Sequence, residues 1–289
     1  MQFLTKNNNN SMNTRREFLK VSGGLLVGGM FIPYLTEAAK VKNVGINLYS
    51  VREQMLSDAA GTLEKLAKIG YKEIESARSE KGNYYGLRPK EIKQITKDLG
   101  LCLRSSHVLV NTDWKQSVED AAEAGQHFLI SAGLPSRGQT VDNYKRVAEV
   151  FNKAAEDCKE SNLIFGYHNG GSDFTKENGQ ILYDVLLNNT DPDLVKMELD
   201  LGWAIVGGAD PQEYFDKYPG RFPLWHLKDI KKDKEESTEF GKGRIDIVGL
   251  LKNKKKSDMK YFFVEQEEWE NSPMESISFN FNYLKNLRF

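Results

Sequence analysis

From residue 44 onward, short apolar runs alternate with longer amphipathic stretches. The short runs Val44–Tyr49, Tyr71–Ser76, Leu101–Ser106, His127–Ser131, Leu163–Tyr167, Val195–Leu199, Phe222–Lys228 and Tyr261–Glu265 predict strands. Between them, Ala59–Ile69, Pro89–Leu99, Gln116–Ala124, Asp142–Glu160, Asn178–Leu187, Pro211–Lys217, Ile247–Leu251 and Met274–Leu287 predict helices. Pro89 suits a first helical turn, and Asp210 suits an N-cap. Gly70, Gly100, Gly125 and Gly220 stand just before strands, where helices end. Strands that alternate with helices imply a parallel sheet, and eight such units imply an α/β fold of the closed (β/α)8, or TIM barrel, type. An open doubly wound sheet would want a glycine-rich turn after its first strand, and Leu48-Tyr49-Ser50-Val51 is not one.

Four of the apolar runs lead into a polar residue able to bind a metal. They are Leu163–Phe165 before His168, Leu194–Val195 before Asp200, Phe222–Trp225 before His226, and Tyr261–Val264 before Glu265. In a barrel these residues surface at the carboxyl ends of the strands, where active sites sit. Side chains two apart share a face, so Glu198 pairs with Asp200, His226 with Lys228, and Glu265 with Glu267. Asp200, His226 and Glu265, with His168 as a fourth candidate, form a mixed nitrogen and oxygen set. It suits one divalent ion: Mn, Zn, Co or Mg. Glu75 and His107 fall at the same end. His127 begins its strand at the opposite end and reads as structural.

The bulk numbers change this picture little. The chain has 289 residues, 39% hydrophobic and 28% charged, as expected of a globular protein. A net charge of −1 argues against nucleic acid as a partner. Two cysteines, Cys102 and Cys158, cannot make a disulfide framework and read as buried free thiols. The first forty residues stand apart. Arg15-Arg16-Glu17-Phe18-Leu19 precedes a short apolar, glycine-rich run from Val21 to Ile32. That run is too short to span a bilayer, and the paired arginines are similar to a twin-arginine export signal. Residues 1–40 are therefore expected to be a leader and residues 41–289 the barrel. The expected location is the periplasm, with no stable membrane insertion after processing.

Several segments together resemble the sugar phosphate isomerase/epimerase family, the xylose isomerase-like barrels. They are Gly166-Tyr167-His168-Asn169, Glu198-Leu199-Asp200-Leu201-Gly202-Trp203, Gly207-Gly208-Ala209-Asp210-Pro211, Tyr218-Pro219-Gly220-Arg221-Phe222, His226-Leu227-Lys228-Asp229, Gly241-Lys242-Gly243 and Val264-Glu265-Gln266-Glu267. The resemblance runs from about residue 42 to 289 and is densest after residue 160. It implies a metal-dependent barrel acting on a small sugar or sugar derivative, with Asp200, His226 and Glu265 as ligands. The chain departs from the family pattern at the fifth strand. Epimerases of this type place a glutamate there, opposite the one on the eighth strand; here that place is taken by His168. Relatives also often read His-Asn-His there, followed by Glu-Phe. This chain has Gly170 for the second histidine and Asp173 for the glutamate.

The resulting expectation is an isomerase or epimerase that moves a proton next to a carbonyl through an enediolate. Glu265, Glu267 and His168 are the candidate bases, and Lys228 is a candidate donor to a developing alkoxide. Glu75, His107, Trp203 and Arg221 are candidate substrate contacts, with Trp203 equally suited to packing. Without the paired glutamate, a lyase that eliminates from a keto-sugar or keto-glycoside is the alternative. A non-catalytic sugar-binding barrel is a further one. Abasic-site endonucleases share the barrel, but they need many histidines and a basic face, and this chain has 4 histidines. A homo-oligomer is left open.

Overall fold

The computed structural model describes residues 41–288; the predicted leader at 1–40 lies outside the described residues. Eight parallel strands close into a barrel. They are β1 (Gly45–Asn47), β2 (Glu73–Ser76), β3 (Cys102–Val108), β4 (Phe128–Ser131), β5 (Ile164–His168), β6 (Val195–Asp200), β7 (Leu224–Leu227) and β8 (Tyr261–Val264). Each pairs with its neighbour in sequence, and β8 closes on β1 with Gly45 opposite Phe263 and Ile46 opposite Val264. The register that matters for the site sets Asn47 beside Glu75, Glu75 beside Ser105, and Asp200 beside His226.

Alternation along these short strands separates two cores. Outward residues such as Phe165, Leu199, Trp225 and Val264 pack in one continuous cluster that includes helix residues such as Phe151, Tyr183 and Phe215. Inward residues Phe128, Ile130, Leu224 and Phe263 form a separate apolar plug inside the barrel. Two inward glycines make room for that plug. A Cβ on Gly45 would lie 2.7 Å from Phe263 Cδ1, and one on Gly166 would lie 2.6 Å from Ile130 Cδ1. The plug ends beneath the carboxyl ends of the strands, where inward side chains become polar. His226 meets its upper edge, with its ring centroid 6.4 Å from that of Phe263.

The helices follow the apolar spacing closely. Ala59–Ile69 and Pro211–Lys217 begin and end as expected, and Asp210 accepts from the Gln212 N–H as an N-cap. The helix expected at Asn178–Leu187 starts later, at Leu182. Its first residues instead form a hairpin, Lys176–Glu177 against Gln180–Ile181. Asn178 and Gly179 turn it with φ of 51° and 78°, the left-handed geometry that an Asn-Gly pair favours. Two short helices, Arg52–Ser57 and Leu201–Val206, were not legible from spacing. Cys158 is buried as expected. Cys102 is exposed, because it opens β3 at the barrel's amino-terminal rim. Among the described residues, no helix is long and apolar enough to cross a membrane.

The loop after β7 is tied down by one carboxylate. Asp229 is buried and accepts from the N–H groups of Ile230, Gly241, Gly243 and Ile245, at 2.9–3.0 Å. This explains the Gly241-Lys242-Gly243 motif, since a Cβ on Gly243 would collide with Asp229. Ser237, in the same loop, accepts from the N–H groups of Glu267 and Glu268, so the knot reaches the segment after β8. Asp229→Ala leaves four backbone donors without their acceptor. It should lower the unfolding free energy by about 3 kcal/mol. A urea titration checks this through a lower midpoint at unchanged slope.

Candidate active site

Seven strands, all but β4, deliver polar side chains to one place. From β6 come Glu198 and Asp200, whose shared parity points both into the barrel. Asp200 is also the N-cap of Leu201–Val206: its Oδ1 accepts from Trp203 N–H at 2.8 Å. That bond turns Oδ2 toward the barrel axis. Asn169, just past β5, brackets the Asp200 backbone. Its Oδ1 accepts from Asp200 N–H at 3.0 Å, and its Nδ2 donates to Asp200 O at 3.3 Å.

The expected ligand set converges. His168, Asp200, His226 and Glu265 each offer an atom within 4.8 Å of the others. His168 Nε2 lies 3.1 Å from His226 Nδ1 and 3.5 Å from Asp200 Oδ2. His226 Nδ1 lies 3.0 Å from Glu265 Oε2 and 3.8 Å from Asp200 Oδ2. Two imidazole nitrogens and two carboxylate oxygens thus face one small volume. Asp200 is fully buried, and its Oδ2 is the carboxylate oxygen turned to His168 and His226. Burial, with the neighbouring His226 charge, pulls the His168 imidazole down to about 4, so it is neutral and has a lone pair to give. This donor set fits a divalent cation.

Lys228 is fully buried beside the set. Its Nζ lies 3.1 Å from Asp200 Oδ2 and 2.9 Å from Glu265 Oε2, and it also pairs with Glu267. Burial alone would discharge the amine, but Asp200, Glu265 and Glu267 outweigh it and raise its pKa. Burial likewise opposes ionisation of Glu265, and Lys228 and His226 overcome it, holding that carboxyl well below its usual range. Glu267 differs: burial prevails over Lys228 and raises its pKa. Its Oε1 also accepts from the Trp203 indole N–H at 3.1 Å. Trp203 lies under Lys228, with Nζ 4.8 Å from its ring.

Beneath this set lies a second polar layer. His107 stacks on His226, with centroids 5.1 Å apart and planes at 12°. Its Nε2 meets Glu198 Oε2 at 2.7 Å and Glu75 Oε1 at 3.2 Å. Burial disfavours the imidazolium, but these two carboxylates push His107 up to about 10. Burial and the Glu75 charge raise Glu198 to about 7.

A cavity of about 300 Å³ opens above both layers. Tyr49, Arg78, His107, His168, Trp203, Glu265 and Glu267 are among its walls. His107 and Trp203 therefore stand where a substrate can reach them. Two other expected contacts do not. Glu75 is fully buried and makes no part of that wall, because its carboxylate is turned inward onto Asn47, Ser105 and His226. Arg221 precedes β7, at the opposite end of the barrel. It donates to Leu187 O and Thr190 Oγ1, closing the end of the helix Leu182–Asn189. His127 is exposed at that same far end. Asp173, in the departing stretch after β5, accepts from Tyr144, Tyr167 and the Gly170 N–H; it is a structural knot and not a ligand. Glu198 and Asn169 stood in quoted motifs without a role. Asn47, Ser105 and Arg78 gave no signal beyond lying near strand ends.

The comparisons with known proteins agree with this geometry. A family model described as xylose isomerase-like TIM barrel matches residues 63–286. An inosose dehydratase of Clostridium perfringens is 33% identical over 207 residues, which are 62% of this chain and 66% of that protein. An inosose dehydratase of Geobacillus kaustophilus is 30% identical over 131 residues, 39% of this chain and 41% of that protein. The chain thus spans between two fifths and two thirds of these curated relatives. A crystal structure of a sugar phosphate isomerase/epimerase from Parabacteroides distasonis superposes with a TM-score of 0.76 at 28% identity. The match covers 86% of this chain and 99% of that one. With a closed barrel of eight parallel strands and a match over most of its length, this chain belongs to the xylose isomerase-like TIM barrel family.

Proposed function

We propose that this chain is a metal-dependent lyase that removes water from a keto-sugar or keto-polyol of the inosose type. One observation carries the choice of elimination over isomerisation. The fifth-strand position that would hold the second glutamate holds His168, whose Nε2 is turned into the ligand set. The acid–base groups left on the cavity wall are then of unlike kind, the carboxylate of Glu267 and the imidazole of His107. Relatives named inosose dehydratases support the same choice.

His168, Asp200, His226 and Glu265 would hold the ion. When bound, it supplies Lewis-acid stabilisation of charge on the substrate carbonyl oxygen. Glu267 takes the proton from the carbon next to that carbonyl; its raised pKa makes it a stronger base than a solvated glutamate. The carbon–oxygen bond at the next carbon breaks, and a double bond forms between the two carbons. His107 gives a proton to the departing hydroxyl, which leaves as water. Its Nε2 is held by Glu198 and Glu75, and Nδ1 has no hydrogen-bond partner among the described residues, so Nδ1 is the donor. Lys228 cannot act as the base, because three carboxylates keep it an ammonium. It holds Glu267 in place and offers positive charge beside the developing anion. The leader expected at residues 1–40 would put this chemistry in the periplasm, where neutral keto-sugars are more available than phosphosugars.

The purified chain should contain about one divalent ion, measured by elemental analysis, and Asp200→Ala should contain almost none. With inosose in deuterated water, mass spectrometry should show loss of one water and a product that absorbs as a conjugated ketone. Deuterium uptake without loss of water would instead establish isomerase or epimerase chemistry. Glu267→Gln should lower kcat by about 10²–10⁴-fold with metal content unchanged. Full activity in that variant would remove Glu267 as the base.

A further inference from the structure

We infer that Glu75 is a positioning residue that fixes the ring and tautomer of His226, so that Nδ1 is the nitrogen presented to the ion. This rests on the metal reading above and extends it to a residue outside the ligand set. His226 is fully buried, and its two nitrogens face opposite ways. Nδ1 faces His168 and Glu265, at 3.1 and 3.0 Å. Nε2 faces Glu75 Oε1 at 2.6 Å. Glu198 is a poorer partner for that nitrogen, with Oε2 at 3.4 Å and already engaged by His107 at 2.7 Å.

Glu75 is itself held from two other strands. Asn47 Nδ2 on β1 donates to its Oε1 at 2.7 Å, and Ser105 Oγ on β3 donates to its Oε2 at 2.6 Å. Every bond its carboxylate makes is one it accepts. A buried carboxylate so surrounded needs an N–H from His226, not a lone pair. With the proton on Nε2, the lone pair of Nδ1 is free to bind metal. With the proton on Nδ1 alone, Nε2 and Glu75 would set lone pair against lone pair between two fully buried groups. Losing such an outer carboxylate typically costs 10–100-fold in metal affinity.

The test measures zinc affinity of the full chain, stripped of metal, by competition with a chromophoric chelator. Glu75→Gln should bind zinc about 10–100-fold more weakly than wild type. Ser105→Ala, which only loosens Glu75, should weaken binding by less. Glu73→Gln removes the same charge two residues away, where the carboxylate pairs with Arg104 at 2.5 Å, and should bind as wild type does. Zinc-loaded, histidine-labelled wild type adds a spectroscopic readout that stands even if Glu75→Gln fails to fold. The His226 Nε2–H should appear as a downfield, exchange-protected proton. A Glu75→Gln protein that folds and binds zinc like wild type overturns this role for Glu75 and leaves the metal reading standing. So does a His226 ring found bound to zinc through Nε2. A wild type that binds no zinc, manganese or cobalt overturns both.

Discussion

Everything at this barrel mouth answers to one electrostatic constraint. Glu75, Glu198, Asp200, Glu265 and Glu267 bring five carboxyl groups to one place, and the first four are buried. An unpaired buried carboxylate costs several kcal/mol. The chain meets this with cations of its own. Lys228 joins Asp200, Glu265 and Glu267, and His107 lies between Glu75 and Glu198. These pairings leave Glu198 Oε1 without a hydrogen bond among the described residues. A site built this way has a standing demand for positive charge. That demand is the physical reason to expect a divalent ion on the histidine and carboxylate atoms that face one another.

Short strands make such a concentration of charge feasible. Each barrel strand has three to seven residues, enough for an apolar inward position below and a polar one above. The Phe128, Ile130, Leu224 and Phe263 plug fills the barrel beneath the polar layer. The loops then secure the top. Asp229 gathers the loop after β7, Ser237 ties it to the segment carrying Glu267, and Asn169 clamps the backbone of Asp200. The motif residues Asn169, Asp229, Gly241 and Gly243 are explained by these ties.

Much of this was legible in the sequence, for reasons that also mark where legibility ends. Period-two alternation carries both strand identity and face, so the sequence alone assigns the pairs Glu198/Asp200, His226/Lys228 and Glu265/Glu267 inward. Asp200, His226, Glu265 and His168 followed as a set, and the structure brings them together. What alternation cannot supply is depth. Glu75 and His107 fall at the same end of the barrel, yet one is sealed under the site and the other lines the cavity. The strand register and the bulge between Ile74 and Glu75 decide that, and neither is written in the local pattern. Arg221 was misplaced for a related reason. Its segment Tyr218-Pro219-Gly220-Arg221 belongs to a recurring motif, but it precedes its strand, so the residue serves a helix end at the far side. The helix Leu201–Val206 was hidden because Leu-Gly-Trp-Ala-Ile-Val reads as extended until the Asp200 cap is seen.

The histidine on β5 bears on what kind of chemistry the mouth can support. Interconverting two epimers needs a group able to exchange a proton on each face of the same carbon, a task that two like carboxylates perform symmetrically. With His168 turned toward the ligand set, Glu265 has no carboxylate partner on the fifth strand. The remaining wall groups are made unlike by their surroundings. Burial raises Glu267 and sharpens it as a base, while Glu75 and Glu198 hold His107 cationic and suit it to give a proton. Elimination requires one group that accepts a proton from carbon and another that donates to the leaving oxygen. With His168 in the ligand set, the acid–base groups that face the cavity beside that set are the carboxylate of Glu267 and the imidazole of His107.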